Sequence, residues 1–97
     1  MSLRGNPVER TAMLPDGSRC DIRCGVAEDG YIPRPLIDTV VLELRRAGEH
    51  LGALTTLLRP DQDREAVELV SEVVRRLESG EVEPAHPGEL ERLPWVA

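Results

Sequence analysis

Phenylalanine and lysine are both absent from this chain, and Tyr31 and Trp95 are its only aromatic residues. The core must therefore be built mainly from Leu, Val, Ile and Ala, which bury less area per residue than aromatic rings do. No apolar run approaches the ~18 residues that a membrane-spanning helix needs, and the N-terminus does not have the pattern of a signal peptide. We therefore expect a cytoplasmic protein with no membrane partner.

Basic residues are also fewer than acidic residues. The acidic residues number 18 against 12 arginines, which gives the 97-residue chain a formal net charge of −6 at pH 7. A negative net charge repels phosphate backbones, so we expect no nucleic-acid partner. A chain of this length predicts a single domain over residues 1–97, with less regular termini at 1–7 and 81–97.

Motifs that carry catalysis or bind a cofactor are missing as well. The glycines are scattered singly, so they form no phosphate-binding loop. Cys20 and Cys24 would point to the same side of a strand but lie ~13 Å apart along it. That distance is too long for a disulfide or for a shared zinc ion. We interpret both as buried structural thiols and predict no catalytic, cofactor or metal site.

The residues between Val8 and Val26 predict a β-hairpin. Pro15 supplies a φ of about −65°, and Asp16-Gly17 then supplies the turn and a left-handed residue. Apolar and charged residues alternate after the turn, which is typical of a strand with one buried face. The apolar positions are Cys20, Ile22, Cys24 and Val26, and the charged positions are Arg19, Asp21 and Arg23.

The segment 36–58 is compatible with either a helix or a strand. Its apolar residues can be placed on one helical face, but residues 40–45 also alternate with a period of two. Ala47-Gly48 then stands where a two-residue hairpin turn would be, and the glycine and threonines that follow are poor helix formers. We predict a second hairpin, with strands at about 38–46 and 49–58.

Residues 60–79 predict a helix. Pro60 suits the first helical turn, and Gly80 is typical of the position just past a helix end. Acidic residues near the start and arginines near the end complement the helix dipole. The apolar stripe consists of Ala66, Val70, Val73 and Leu77.

Together these elements predict an α+β fold, in which two consecutive β-hairpins form an antiparallel sheet packed by one helix at about 60–79, with an irregular tail. The alternative is one N-terminal hairpin followed by three helices. Four strands at ~4.8 Å spacing make a sheet ~19 Å across, whereas one helix covers ~10–12 Å. The rest of that face needs a cover from the tail, from a second copy of the chain, or from another protein.

The incomplete cover predicts a non-enzymatic interaction or regulatory protein that acts as a homodimer or through a protein partner. Aromatic residues and arginine are enriched at protein interfaces. The candidate partner or ligand contacts are Tyr31, Arg34, Arg45 and Trp95.

The alternative function is small-molecule binding, with a pocket between sheet and tail and an arginine that holds an anion. Arg19, Arg23 and Arg45 are expected on the outward face of the sheet. Because Asp21 and Glu43 would stand between them there, we expect cross-strand ion pairs rather than a free cationic site.

Overall fold

The structure is a computed structural model that describes residues 3, 5–27, 38–84, 86–93 and 95–96 of the chain. Within these residues the chain forms four strands, one α-helix and a short 3-10 helix. The elements are β1 (Val8–Met13), β2 (Arg19–Val26), β3 (Val40–Arg46), β4 (Glu49–Thr55), α1 (Asp63–Ser79) and the 3-10 helix (Pro87–Arg92). The strands form one antiparallel sheet in the order β1-β2-β3-β4. The predicted fold is confirmed, and the three-helix alternative for the region after the first hairpin is wrong.

The first hairpin closes as its turn residues predict. The N–H of Gly17 donates to the carbonyl of Leu14 at 2.9 Å, and Gly17 has a φ of 88°. The Asp16 carboxylate accepts hydrogen bonds from the backbone N–H of Ser18 at 2.9 Å and from its hydroxyl. These bonds hold the pKa of Asp16 below its usual value. A local Asp-Gly-Ser unit therefore sets the register of β1 on β2.

The second hairpin has a two-residue turn at Ala47-Gly48, with Arg46 opposite Glu49. Both turn residues have positive φ, 52° at Ala47 and 79° at Gly48. Positive φ at both central positions defines a type I′ turn, whose twist matches that of the flanking strands. This turn resolves the ambiguity of segment 36–58 in favour of strands, for the part of it that the structure describes.

The helix α1 begins at Asp63, three positions later than predicted. Residues 59–62 form a separate turn, in which the N–H of Gln62 donates to the carbonyl of Arg59 at 3.0 Å. The Gln62 side chain also accepts the N–H of Arg59 at 2.8 Å, which closes the turn ahead of the helix. At the other end Gly80 has a φ of 81°, as expected for a left-handed helix cap.

The core lies between one face of the sheet and two covers from the same chain. The helix packs over β1 and β2, and the 3-10 helix contacts β4. The buried residues of the helix are Ala66, Leu69, Val70, Val73 and Leu77, and those of the tail include Leu90, Leu93 and Val96. Of the three covers that the sequence allowed, the structure therefore shows the tail.

The tail is also joined to the sheet through its backbone. Val96 forms an antiparallel bridge with Thr56, just beyond the end of β4. The N–H of Leu57 donates to the carbonyl of Trp95 at 2.6 Å. The hydroxyl of Thr56 donates to the carbonyl of Val40 at 2.8 Å, so this buried polar group is paired. The tail thus continues the sheet at the corner that the helix does not reach.

Candidate functional site: the open face of the sheet

The face of the sheet opposite α1 is the candidate site, and we call it the open face. Side chains alternate between the two faces of a strand. Because Cys20, Ile22 and Cys24 of β2 face the core, the residues between them face the open side. Among the described residues, neither α1 nor the tail is packed on this side. A shallow groove of about 730 Å³ crosses it, lined mainly by β1, β2 and β3. The charged and hydroxyl side chains of its lining include Glu9, Thr11, Asp21, Arg23, Glu43 and Arg45.

Opposite charges alternate across the strands of this face. Arg23 on β2 lies opposite Glu9 on β1 and opposite Glu43 on β3. Two residues earlier on β2, Asp21 lies opposite Arg45 on β3. We call Glu9, Asp21, Arg23, Glu43 and Arg45 the charged patch. Because charge alternates along β2 and β3 as well as between the strands, each charge of the patch lies opposite or next to a charge of the other sign.

Glu43 is the centre of the contacts within the patch. Its Oε1 accepts a hydrogen bond from Nε of Arg45 and lies 3.2 Å from Nδ1 of His50. Burial opposes ionisation of Glu43, whose side chain is 17% exposed, but the bonds from Arg45 and His50 outweigh it. The pKa of Glu43 is therefore below its usual value, and the carboxylate is charged at neutral pH.

Two further contacts hold the β1 side of the patch. Nε of Arg23 lies 3.7 Å from Oε1 of Glu9, and the hydroxyl of Thr11 donates to Asp21 at 3.0 Å. The Arg23–Glu9 pair is a cross-strand ion pair, although Asp21 and Glu43 were the acids expected to form such pairs. The Arg45–Glu43 pair lies instead within one strand, two residues apart.

The predicted contact residues do not form one site. Arg45 is in the charged patch, whereas Trp95 is half-buried and packs against the core on the other side of the sheet. Tyr31 and Arg34 lie outside the described residues. The backbone of Trp95 holds the tail to the sheet, because its carbonyl accepts the N–H of Leu57.

The tail and the sheet meet through apolar side chains. Leu90 is fully buried, and Leu93 and Val96 are nearly so. The groove lies on the opposite face of the sheet, and therefore not between sheet and tail, where a ligand pocket was predicted.

The sequence analysis did not identify Glu9 and His50 as residues of the open face. The register set by the two hairpin turns was the signal that could have placed them.

The cysteines occupy the core as predicted. Cys20 and Cys24 are free and fully buried. Burial raises the pKa of both thiols, that of Cys24 to about 11, so both are protonated and poorly nucleophilic at neutral pH. Over the described part of the chain, no three His, Cys, Asp or Glu side chains form a group that could hold a metal ion.

The free edge of β1 is obstructed by side chains. Because the N–H of Leu14 bonds toward β2, the backbone groups of Glu9, Thr11 and Met13 point away from the sheet. The N–H of Met13 donates to the Glu78 carboxylate at 3.1 Å, and Arg10 donates to the carbonyl of Glu9 at 2.7 Å. Pairing of another strand along β1 would have to displace both contacts.

The free edge of β4 is interrupted at both ends. The register of β3 with β4 shifts between Leu44 and Arg45, and such a bulge bends the edge. At the other end the bridge between Thr56 and Val96 occupies the edge.

Comparisons with protein-family models, curated proteins and solved structures find no match for this chain. In the described residues, no helix combines the length and the apolar character needed to cross a membrane.

Proposed function

We propose that this chain is a non-enzymatic interaction or regulatory protein of the cytoplasm that acts through self-association or a protein partner, with the open face as its contact surface. The observation that carries the proposal is the charged patch. Alternating charges on three adjacent strands are held in register by the sheet, and a patterned charged surface selects partners by complementarity. The free thiols of Cys20 and Cys24 are consistent with a reducing compartment.

The groove contributes a second feature that supports association. Its shape is shallow and its lining mixes acids with arginines, so no single small ion neutralises it. Val41 lies in the same lining and is half-buried, which adds apolar area beside the patch. A partner surface with its own alternating charges would satisfy both signs together, which supports a macromolecule as the partner.

Two charge reversals of equal size test the proposal. Arg45→Glu changes the charged patch, and Arg64→Glu changes an exposed position on α1. Tagged versions of the wild type and of both variants are used to capture a second, differently tagged copy and proteins from the native cell. We expect Arg45→Glu to lose the captured chains and Arg64→Glu to keep them. Equal capture by all three versions would contradict the open face as the contact surface.

Small-molecule anion binding is the second candidate, favoured by the groove volume of about 730 Å³, which lies in the usual range for ligand sites. Arg45 would hold the anion, although its Nε is already bonded to Glu43. A thermal-shift screen with carboxylates and phosphates tests this candidate, because a ligand of the folded state raises the melting temperature. The increase in melting temperature should disappear in Arg45→Gln. If it remains, the ligand binds at another place on the protein.

A further inference from the structure

The surfaces available for association differ in how far the chain itself has occupied them. The buried face of the sheet is covered by α1 and the tail, and the edge of β1 is obstructed at Glu9 and Met13. The edge of β4 is bent by a bulge, and the chain just beyond its end is bridged by Val96. Of the two faces of the sheet, the open face is the one that no described element of the chain covers.

The centre of the charged patch is a square of four charges. Arg23 and Arg45 lie on one diagonal, and Asp21 and Glu43 lie on the other. Residues opposite each other on antiparallel strands are ~5 Å apart, and residues two apart on one strand are ~7 Å apart. The four charged residues therefore lie close enough together to form one compact surface.

This square is complementary to itself. A two-fold axis that lies between the two copies, parallel to the strands and above the gap between β2 and β3, places Arg23 against Glu43 of a second copy. The same rotation places Asp21 against Arg45 of that copy. A two-fold axis running across the strands also brings opposite charges together, pairing Arg23 with Asp21. Both arrangements keep the two sheets nearly aligned, which is one of the two common ways in which sheets pack face to face.

The arginines of the patch still have hydrogen-bond donors to offer. Each guanidinium carries five N–H donors. Arg45, which is 56% exposed, bonds Glu43 through Nε, and Arg23 lies near Glu9 through Nε. Within the described residues, the terminal Nη atoms of these two side chains have no partner. They are positioned to make charge-assisted hydrogen bonds to carboxylates of a facing molecule.

We propose that the partner of the open face is a second copy of this chain, bound face to face about a two-fold axis that lies in the interface over the centre of the charge square. This inference rests on the proposed function and specifies its partner. The net charge of −6 repels one copy from another at long range, so the complementary square supplies the specific attraction at short range.

The experiment uses two variants, each of which leaves charges of only one sign in the square. An acid-only variant carries Arg23→Glu and Arg45→Glu, and a base-only variant carries Asp21→Arg and Glu43→Arg. The matched control, Arg59→Glu with Arg64→Glu, changes the net charge as the acid-only variant does but at exposed positions away from the open face. Sedimentation velocity and light scattering measure the mass of each version alone and of an equimolar mixture.

We expect the wild type and the control to dimerise and each patch variant alone to be monomeric, with self-affinity reduced by ~100-fold or more through like-charge repulsion. The equimolar mixture of the acid-only and base-only variants should form a heterodimer. Circular dichroism melting of each variant checks that it folds. For any variant that does not fold, a dilution series of the wild type followed by NMR replaces it, with shifts expected on β2 and β3 and not on α1.

Three results would overturn the inference, and they separate it from the proposed function. A wild type that is monomeric at every concentration excludes the second copy, while capture of another protein through Arg45 would leave the proposed function standing. A dimer that persists in both patch variants excludes the open face as the dimer interface. That result would contradict both this inference and the proposed function. A dimer that is lost in Ala53→Pro but kept in the patch variants would assign association to the edge of β4.

Discussion

The carboxylate of Glu78, near the end of α1, accepts a hydrogen bond from the backbone N–H of Met13 on β1 at 3.1 Å. This contact joins the helix to the edge of the sheet and occupies a donor that would otherwise be available to another strand. Met13 is 49% exposed, so the contact lies at the surface.

Replacing Glu78 with alanine should release that donor. We expect a loss of ~0.5–1.5 kcal/mol in the free energy of unfolding, the usual net contribution of one hydrogen bond, measured by urea denaturation. Hydrogen exchange at the Met13 amide should become faster. Glu78→Gln is the control, because its amide oxygen can still accept the bond. Unchanged exchange in the alanine variant would show that the contact does not form.

Glu43 should make stability depend on pH in a defined direction. Its folded-state pKa is lowered from 4.5, so the carboxylate stabilises the fold at pH values above 4.5. This stabilisation is lost as the pH falls through the lower folded-state value. The difference in unfolding free energy between wild type and Glu43→Gln should be constant near neutral pH and shrink below 4.5. A difference that grew as the solution became more acidic would contradict the sign.

The two thiols should behave as core side chains and not as reactive groups. Neither Cys20 nor Cys24 should react with a thiol reagent until the protein unfolds, because both are fully buried. Cys24→Ser should lower the free energy of unfolding by ~1–3 kcal/mol, since a hydroxyl without a partner would be buried. Cys24→Ala removes the polar atom and serves as the comparison. Rapid labelling of the native protein would contradict this account.

The tail should be required for the stability of a single copy. Leu90 is fully buried, so Leu90→Ala should cost ~2–5 kcal/mol, whereas Glu91→Ala at the exposed neighbouring position should change the unfolding free energy by less than ~0.5 kcal/mol. Deleting residues 86–97 should expose the buried face beside β4 and cause aggregation. A truncated chain that remained stable and monomeric would show that the tail is not a cover.

Local chemistry was sufficient for the two hairpins and for the end of the helix. Pro15, Asp16 and Gly17 determine the first turn, and Gly48 favours the second because glycine adopts positive φ freely. Gly80 ends the helix for the same reason. Ala47 is also at positive φ, which its side chain disfavours, so the pairing of β3 with β4 holds it there. The start of the helix was misplaced, since the bonds between Arg59 and Gln62 form a competing turn that helix propensity does not describe.

Only the tertiary structure decided how the sheet is covered and which charges meet. The stripe on the helix predicted that it packs, but its placement over β1 and β2 and the bridge of Val96 to Thr56 depend on contacts between distant parts of the chain. The charged patch has the same origin. Alternation along each strand put Arg23 and Glu43 on an outward face, while the register between strands placed them opposite each other. Periodicity reports which side a residue faces, and only pairing between strands determines its neighbour.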